Sequence, residues 1–214
     1  MPKPNELFVG VLEFFAVLLP GAALTAILLP SLSRYILGPL VTAPTSELGI
    51  AASFLAASYF LGHFAFLIGA YIDPLYDRLR KKLNSYGNVS AYHAATLIRN
   101  EFLAEHEQKS INTFQWCRSV LTIVCPAAAE DIHRVEADSK FFRSVIVVCV
   151  IAAFVFALRD KYLEAVVTLG LLAPCFARYY ERRLKSTTQA YIHIVSLNRL
   201  GKLKPASSNP SGAA

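Results

Sequence analysis

From Leu48 to Ile72 the chain runs for 25 residues without one Asp, Glu, Lys or Arg, and its only titratable base is His63. At about 1.5 Å per helical residue, such a run reaches across the ~30 Å hydrocarbon layer of a bilayer. A helix apolar all round has no face to offer water, so it must lie in a large core or in lipid. Leu7 to Leu29 is a second run, 23 residues with one charge, Glu13. It is longer than the roughly 7–15-residue apolar core of a cleaved signal peptide, and Pro2, Lys3 and Glu6 before it have no positive excess, so an uncleaved span is expected.

Two shorter runs, Ser144 to Leu158 and Leu163 to Ala177, have 15 residues each and flank Arg159-Asp160-Lys161-Tyr162. That is below the usual ~17–25 for a span. Phe141, Phe142, Tyr162, Tyr179 and Tyr180 add aromatic interface residues, which makes two short spans, with a re-entrant hairpin as the alternative. Over the whole chain 55% of residues are apolar and 17% charged, against about 45–50% and 25% in soluble domains. This balance excludes a disordered chain, a disulfide scaffold and a water-soluble enzyme. The expected fold is an all-α integral membrane protein with four transmembrane helices, in two hairpins of which the second is short, and a small cytoplasmic helical module.

Charge placement gives the orientation. With four crossings, eighteen of the 21 Lys and Arg residues fall on one side and three on the other. The juxtamembrane flanks Arg78, Arg80, Lys81, Lys82 and Arg178, Arg182, Arg183, Lys185 agree, which puts both termini and the long middle segment in the cytoplasm of a bacterial-type inner membrane. The net charge of +6 resides largely in the tail, where seven basic residues face one acidic residue, Glu181. Arg178, Arg182, Arg183 and Lys185 are therefore expected on anionic lipid headgroups rather than on nucleic acid.

The boundaries expected from these patterns are a first hairpin over 1–72, a cytoplasmic helical segment over 73–143, a second hairpin over 144–177, a basic helix over 178–200 and a disordered tail over 201–214. Within the cytoplasmic part, Ser90 is placed to cap a helix reaching about Gln108. Asn112 or Thr113 starts the next helix, and Pro126 breaks it before a polar helix that runs from Ala127 into the third span. Cys117, Cys125, Cys149 and Cys175 form no Cys-x-x-Cys pair and are expected to be packing residues.

Several residues stand out chemically. Glu13 and His63 are the titratable groups set well inside the long spans, and their depths differ by only ~4–5 Å at ~1.5 Å per residue. An intramembrane charge usually faces the bundle and pairs, so the two are expected to form a buried polar pair. Pro20 and Gly21 mark a kinkable, narrow middle of the first span, and Gly62 and Gly69 with their alanine neighbours let helices approach. Arg134, Glu136, Asp138, Lys140 and Arg143 make a charged helix just before the third span, with a Glu136–Lys140 pair and a pair of Arg134 with Asp138 or Asp131 at helical spacing. Glu130 and His133 have the Glu-x-x-His spacing of a carboxylate metal site, but the second copy that di-iron bundles need is missing, so no metal and no cofactor is expected. The sequence holds no Walker loop, no G-x-G-x-x-G, no H-E-x-x-H and no G-x-S-x-G.

These features favour a non-enzymatic protein that oligomerises in the membrane. Its cytoplasmic helices would bind a protein partner or ligand and its spans would respond, a membrane-permeabilising defence or stress effector being one form of this. The alternatives are a lipid-headgroup enzyme using Glu130, His133, Glu136 and Asp138, and a small ion- or proton-coupled transporter built on Glu13 and His63.

Overall fold

The computed structural model describes residues 4–35, 46–83, 86–103 and 105–203, and these are all-helical with no strand among them. The helices are α1 (Pro4–Tyr35), α2 (Glu47–Gly69), α3 (Asp73–Leu83), α4 (Tyr86–Phe102), α5 (Glu105–Ser110), α6 (Thr113–Val124), α7 (Pro126–Leu158), α8 (Tyr162–Gly170) and α9 (Leu172–Arg199). Two helices are long and apolar enough to cross a membrane, the run Glu47–Arg80 and α7, while Phe14–Pro30 in α1 is a shorter apolar stretch.

Proline placement explains the breaks. Pro74 has no N–H to give the Ala70 carbonyl, so a single 3-10 turn at Ala70–Ile72 joins α2 to α3 and the Asp73 N–H bonds Ala70 instead. Pro126 sits at the first position of α7, where a missing N–H costs nothing, and no Pro or Gly follows it before Leu158. Pro174 cannot serve the Gly170 carbonyl, and the helix breaks at Leu171 between α8 and α9. The expected fourth span, 163–177, is thus divided between two helices rather than forming one.

Caps and turns set the other ends. The Asn112 side chain accepts from the Gln115 N–H at 2.8 Å and starts α6 where the sequence places it. In α4 the helix begins at Tyr86 rather than at Ser90 and stops at Phe102, with α5 as a separate piece. Asp160 closes α7 with φ +58°, as the Lys161 N–H reaches the Phe156 carbonyl at 2.9 Å. Gly201, at φ +66°, closes α9 in the same way, with Gly201 N–H to Asn198 at 2.9 Å and Lys202 N–H to Leu197 at 3.0 Å. Leu203 is buried with the α9 core residues, so the tail expected to be disordered from 201 is tied down through that position; 204–214 lie outside the described residues.

The chain forms two compact units, each discontinuous: Met1–Leu79 with Glu136–Arg182, and Arg80–Val135 with Arg183–Ala214. The three divisions fall inside the unbroken helices α3, α7 and α9, not at the ends of the apolar runs, because nothing in these helices interrupts them there. The second unit has an ordinary globular core of Ala95, Ile98, Trp116, Leu121, Ile132 and Ile194 among others, with Phe102 and Trp116 in ring contact at 5.7 Å.

The first unit is inverted in character. Leu24, Ala65, Val147 and Val148 form one small core, and Tyr76, Ile146 and Tyr179 another. Its outer surface is nonetheless apolar: Leu48, Phe60, Leu67, Phe154, Leu163 and Val166 are each more than 60% exposed. Inside lie Thr25, Ser58, Ser139 and Ser144, all buried.

Candidate functional site

The polar groups of the first unit converge where the apolar parts of its helices end. Asp73, at the start of α3, accepts from Arg143 Nη1 of α7 at 2.7 Å and from Tyr179 Oη of α9 at 2.6 Å. One carboxylate therefore ties three helices. The Arg143 side chain is 7% exposed and that of Asp73 29%, so the cation is the buried member. Arg143 also lies 4.9 Å from the Phe66 ring centroid in α2, a cation–π contact. Its stem reaches α2 because Gly69 has no side chain, and a Cβ there would lie 3.1 Å from Arg143 Cγ. The Tyr76 ring packs against Tyr179 at 5.8 Å and Tyr180 at 5.2 Å.

One turn earlier on α7, Lys140 pairs with Glu136 at 3.3 Å, the i,i+4 pair that the spacing suggests. Asp138 takes Arg182 of α9 at 3.6 Å, where helical spacing offers Arg134 as one choice. The physical reason is magnitude: an exposed i−4 contact contributes only ~0.2–0.5 kcal/mol, and a guanidinium from a packed neighbour displaces it at little cost. Arg178 pairs with Glu181 at 2.9 Å, so two of the four tail cations expected on headgroups already face carboxylates.

Phe14, Val17, Tyr59, His63, Phe66 and Lys140 line a cavity of about 290 Å³ beside this cluster. His63 is exposed and sets its ring edge-on to Tyr59 at 4.5 Å. Of the expected Glu13–His63 pair, the Glu13 side chain lies outside the described residues.

The small residues of α1 and α2 meet. A Cβ on Gly21 would land on the Ser58 carbonyl oxygen, and one on Gly62 would land on the Val17 carbonyl oxygen. Thr25 donates to the Gly21 carbonyl at 2.8 Å, and Ser58 donates to Thr25 at 3.3 Å. Pro20 is buried at the same level.

No family model, curated protein or solved structure matches the chain.

The proposed enzymatic quartet is divided: Glu130 and His133 belong to the second unit, Glu136 and Asp138 to the first. Arg118 Nη2 lies 3.1 Å from His133 Nδ1, and since a guanidinium only donates, that nitrogen accepts and is engaged. No group of three metal-ligating side chains occurs among the described residues. In the second unit burial pushes the Cys117 thiol up to about 12, only partly opposed by Arg99, so it stays protonated and is a packing group. Burial likewise pushes Tyr191 up to about 12 against the nearby Arg80. What the sequence missed is the role of Asp73 and Tyr179, which local spacing marks only as the ends of apolar runs.

Proposed function

We propose that the chain is a non-enzymatic, multi-pass protein of a bacterial-type inner membrane, with both termini and the second unit on the cytoplasmic side. The observation that carries this reading is the inversion of the first unit, with large apolar side chains outward and serine, threonine, arginine and carboxylate groups inward. Lipid, not water, is the solvent such a surface suits. Arg143 and Arg159 bracket the apolar part of α7, and Arg159 donates to the Ile27 carbonyl of α1 at 2.8 Å. The 15 residues between them rise about 22 Å, short of the ~30 Å layer, so the bilayer thins or the arginines snorkel. Two long apolar helices support a membrane location; the shorter α1 stretch and the divided α8–α9 stretch complete four crossings in this reading. Lys185 and Arg183 face anionic headgroups, and copies of the chain associate through their spans.

In this function the second unit receives a cytoplasmic partner or ligand, and α7 and α9, which belong to both units, carry the response. The Asp73–Arg143–Tyr179 junction is the element whose opening lets the spans repack and admit ions. Expression in bacterial cells with a potential-sensitive dye tests it. Alone, the native chain should leave the membrane polarised, Tyr179→Phe should depolarise partly, and Asp73→Ala fully. Unchanged potential in all three, with the proteins present in the membrane, would remove the permeation reading.

A further inference from the structure

The geometry points to a membrane quinone as the occupant of the cavity beside His63. The cavity lies just below the roughly 300–1,000 Å³ range of ligand pockets, so it holds a single ring rather than an extended polar head. Phe14, Tyr59 and Phe66 supply aromatic walls for a flat ring. His63 and Tyr59 bring an imidazole N–H and a phenol O–H, and Lys140 brings an ammonium, so the polar part of the lining is rich in donors suited to carbonyl oxygens. Charge argues for a neutral head. Glu136 already balances Lys140 at 3.3 Å, so an anionic phosphate entering here would meet a carboxylate as well as the cation.

A tail has a path. A second cavity of about 180 Å³, lined by Phe15, Leu19, Phe141 and the Asp138 that pairs with Arg182, shares Ala16 of α1 and Ala137 of α7 with the first. The two alanines leave a groove along the α1–α7 contact, and Phe14, Phe15, Leu19 and Tyr59 stay about half exposed, so it opens on the unit's apolar surface. A planar, carbonyl-bearing head on an alkyl or isoprenoid tail fits both parts. The proposal is for binding alone and rests on the membrane reading of the first unit for the surroundings of the tail.

The test uses the full chain in quinone-free phosphatidylcholine nanodiscs, with decylubiquinone as the probe and bound quinone read by its ultraviolet absorbance. Saturable binding of one quinone per chain is expected. Ala16→Leu, which narrows the groove, and His63→Leu, which removes a donor from an exposed position that tolerates change, should each weaken it about tenfold, a loss equivalent to one hydrogen bond or packing contact. Phe154→Ala, on the outward face of α7, should leave it unchanged. No saturable binding, native-level binding by either pocket variant, or displacement by phosphatidylglycerol, which would mark an anionic headgroup site, overturns the proposal. A chain that enters membranes yet binds no quinone fails here alone, whereas one that does not enter membranes fails the function proposed above.

Discussion

Asp73→Ala should destabilise the folded chain by about 3–5 kcal/mol, because it strands the buried Arg143 guanidinium and removes the acceptor of Tyr179 at one stroke. Arg143→Met should cost less, on the order of 1–3 kcal/mol, since the carboxylate left behind is 29% exposed and water can reach it. Combining Arg143→Met with Asp73→Leu removes both charges, and the pair should regain most of the loss, as replacing a buried ion pair by apolar groups is often neutral. A double-mutant cycle of Asp73→Leu, Arg143→Met and the pair, on unfolding in detergent, measures the coupling directly. Strictly additive losses would mean that the two side chains do not act as a junction. Tyr179→Phe, which keeps the ring and its contact with Tyr76, should cost about 1 kcal/mol.

A side chain at Gly21 or Gly62 should be almost as damaging. Overpacking usually costs about 1–3 kcal/mol when neighbouring side chains can move aside. Here the obstacle is backbone, the Ser58 carbonyl for Gly21 and the Val17 carbonyl for Gly62, so relief requires α1 and α2 to separate. Gly21→Leu is therefore expected at the upper end, about 3 kcal/mol, or roughly 6–12 °C in melting temperature for a chain of this size. Ala52→Leu, on an exposed part of α2, is the matched control and should stay within about 0.5 kcal/mol. Equal losses from the two substitutions would show that the glycines are not where the helices touch.

The contrast between these sites explains what the sequence could reveal. Local chemistry was legible: the apolar runs, a helix start at Asn112 or Thr113 and a break at Pro126 each act through neighbours a few residues away, whereas the glycines showed as narrow positions without showing that Ser58 and Val17 are what they meet. Asp73 was not, because its partners lie 70 and 106 residues along the chain and the choice among many arginines and tyrosines is made by packing. Asp138 shows the same limit: helical spacing leaves Arg134 a choice between Asp138 and Asp131, and the fold supplies Arg182 to Asp138. The α8–α9 break had a local signal in Pro174, but a run of apolar residues reads as continuous whether or not its helix is. His63 stood out as a rare polar group in an apolar run, while the cavity around it depends on α1 and α7 and is written in no single segment.

Extraction of washed membranes with alkaline carbonate tests most directly whether the outward apolar surface of the first unit lies in hydrocarbon. The full chain should remain in the pellet and be released only by detergent. Recovery in the carbonate supernatant, as a species that stays dispersed without detergent, would contradict the membrane assignment and every function built on it.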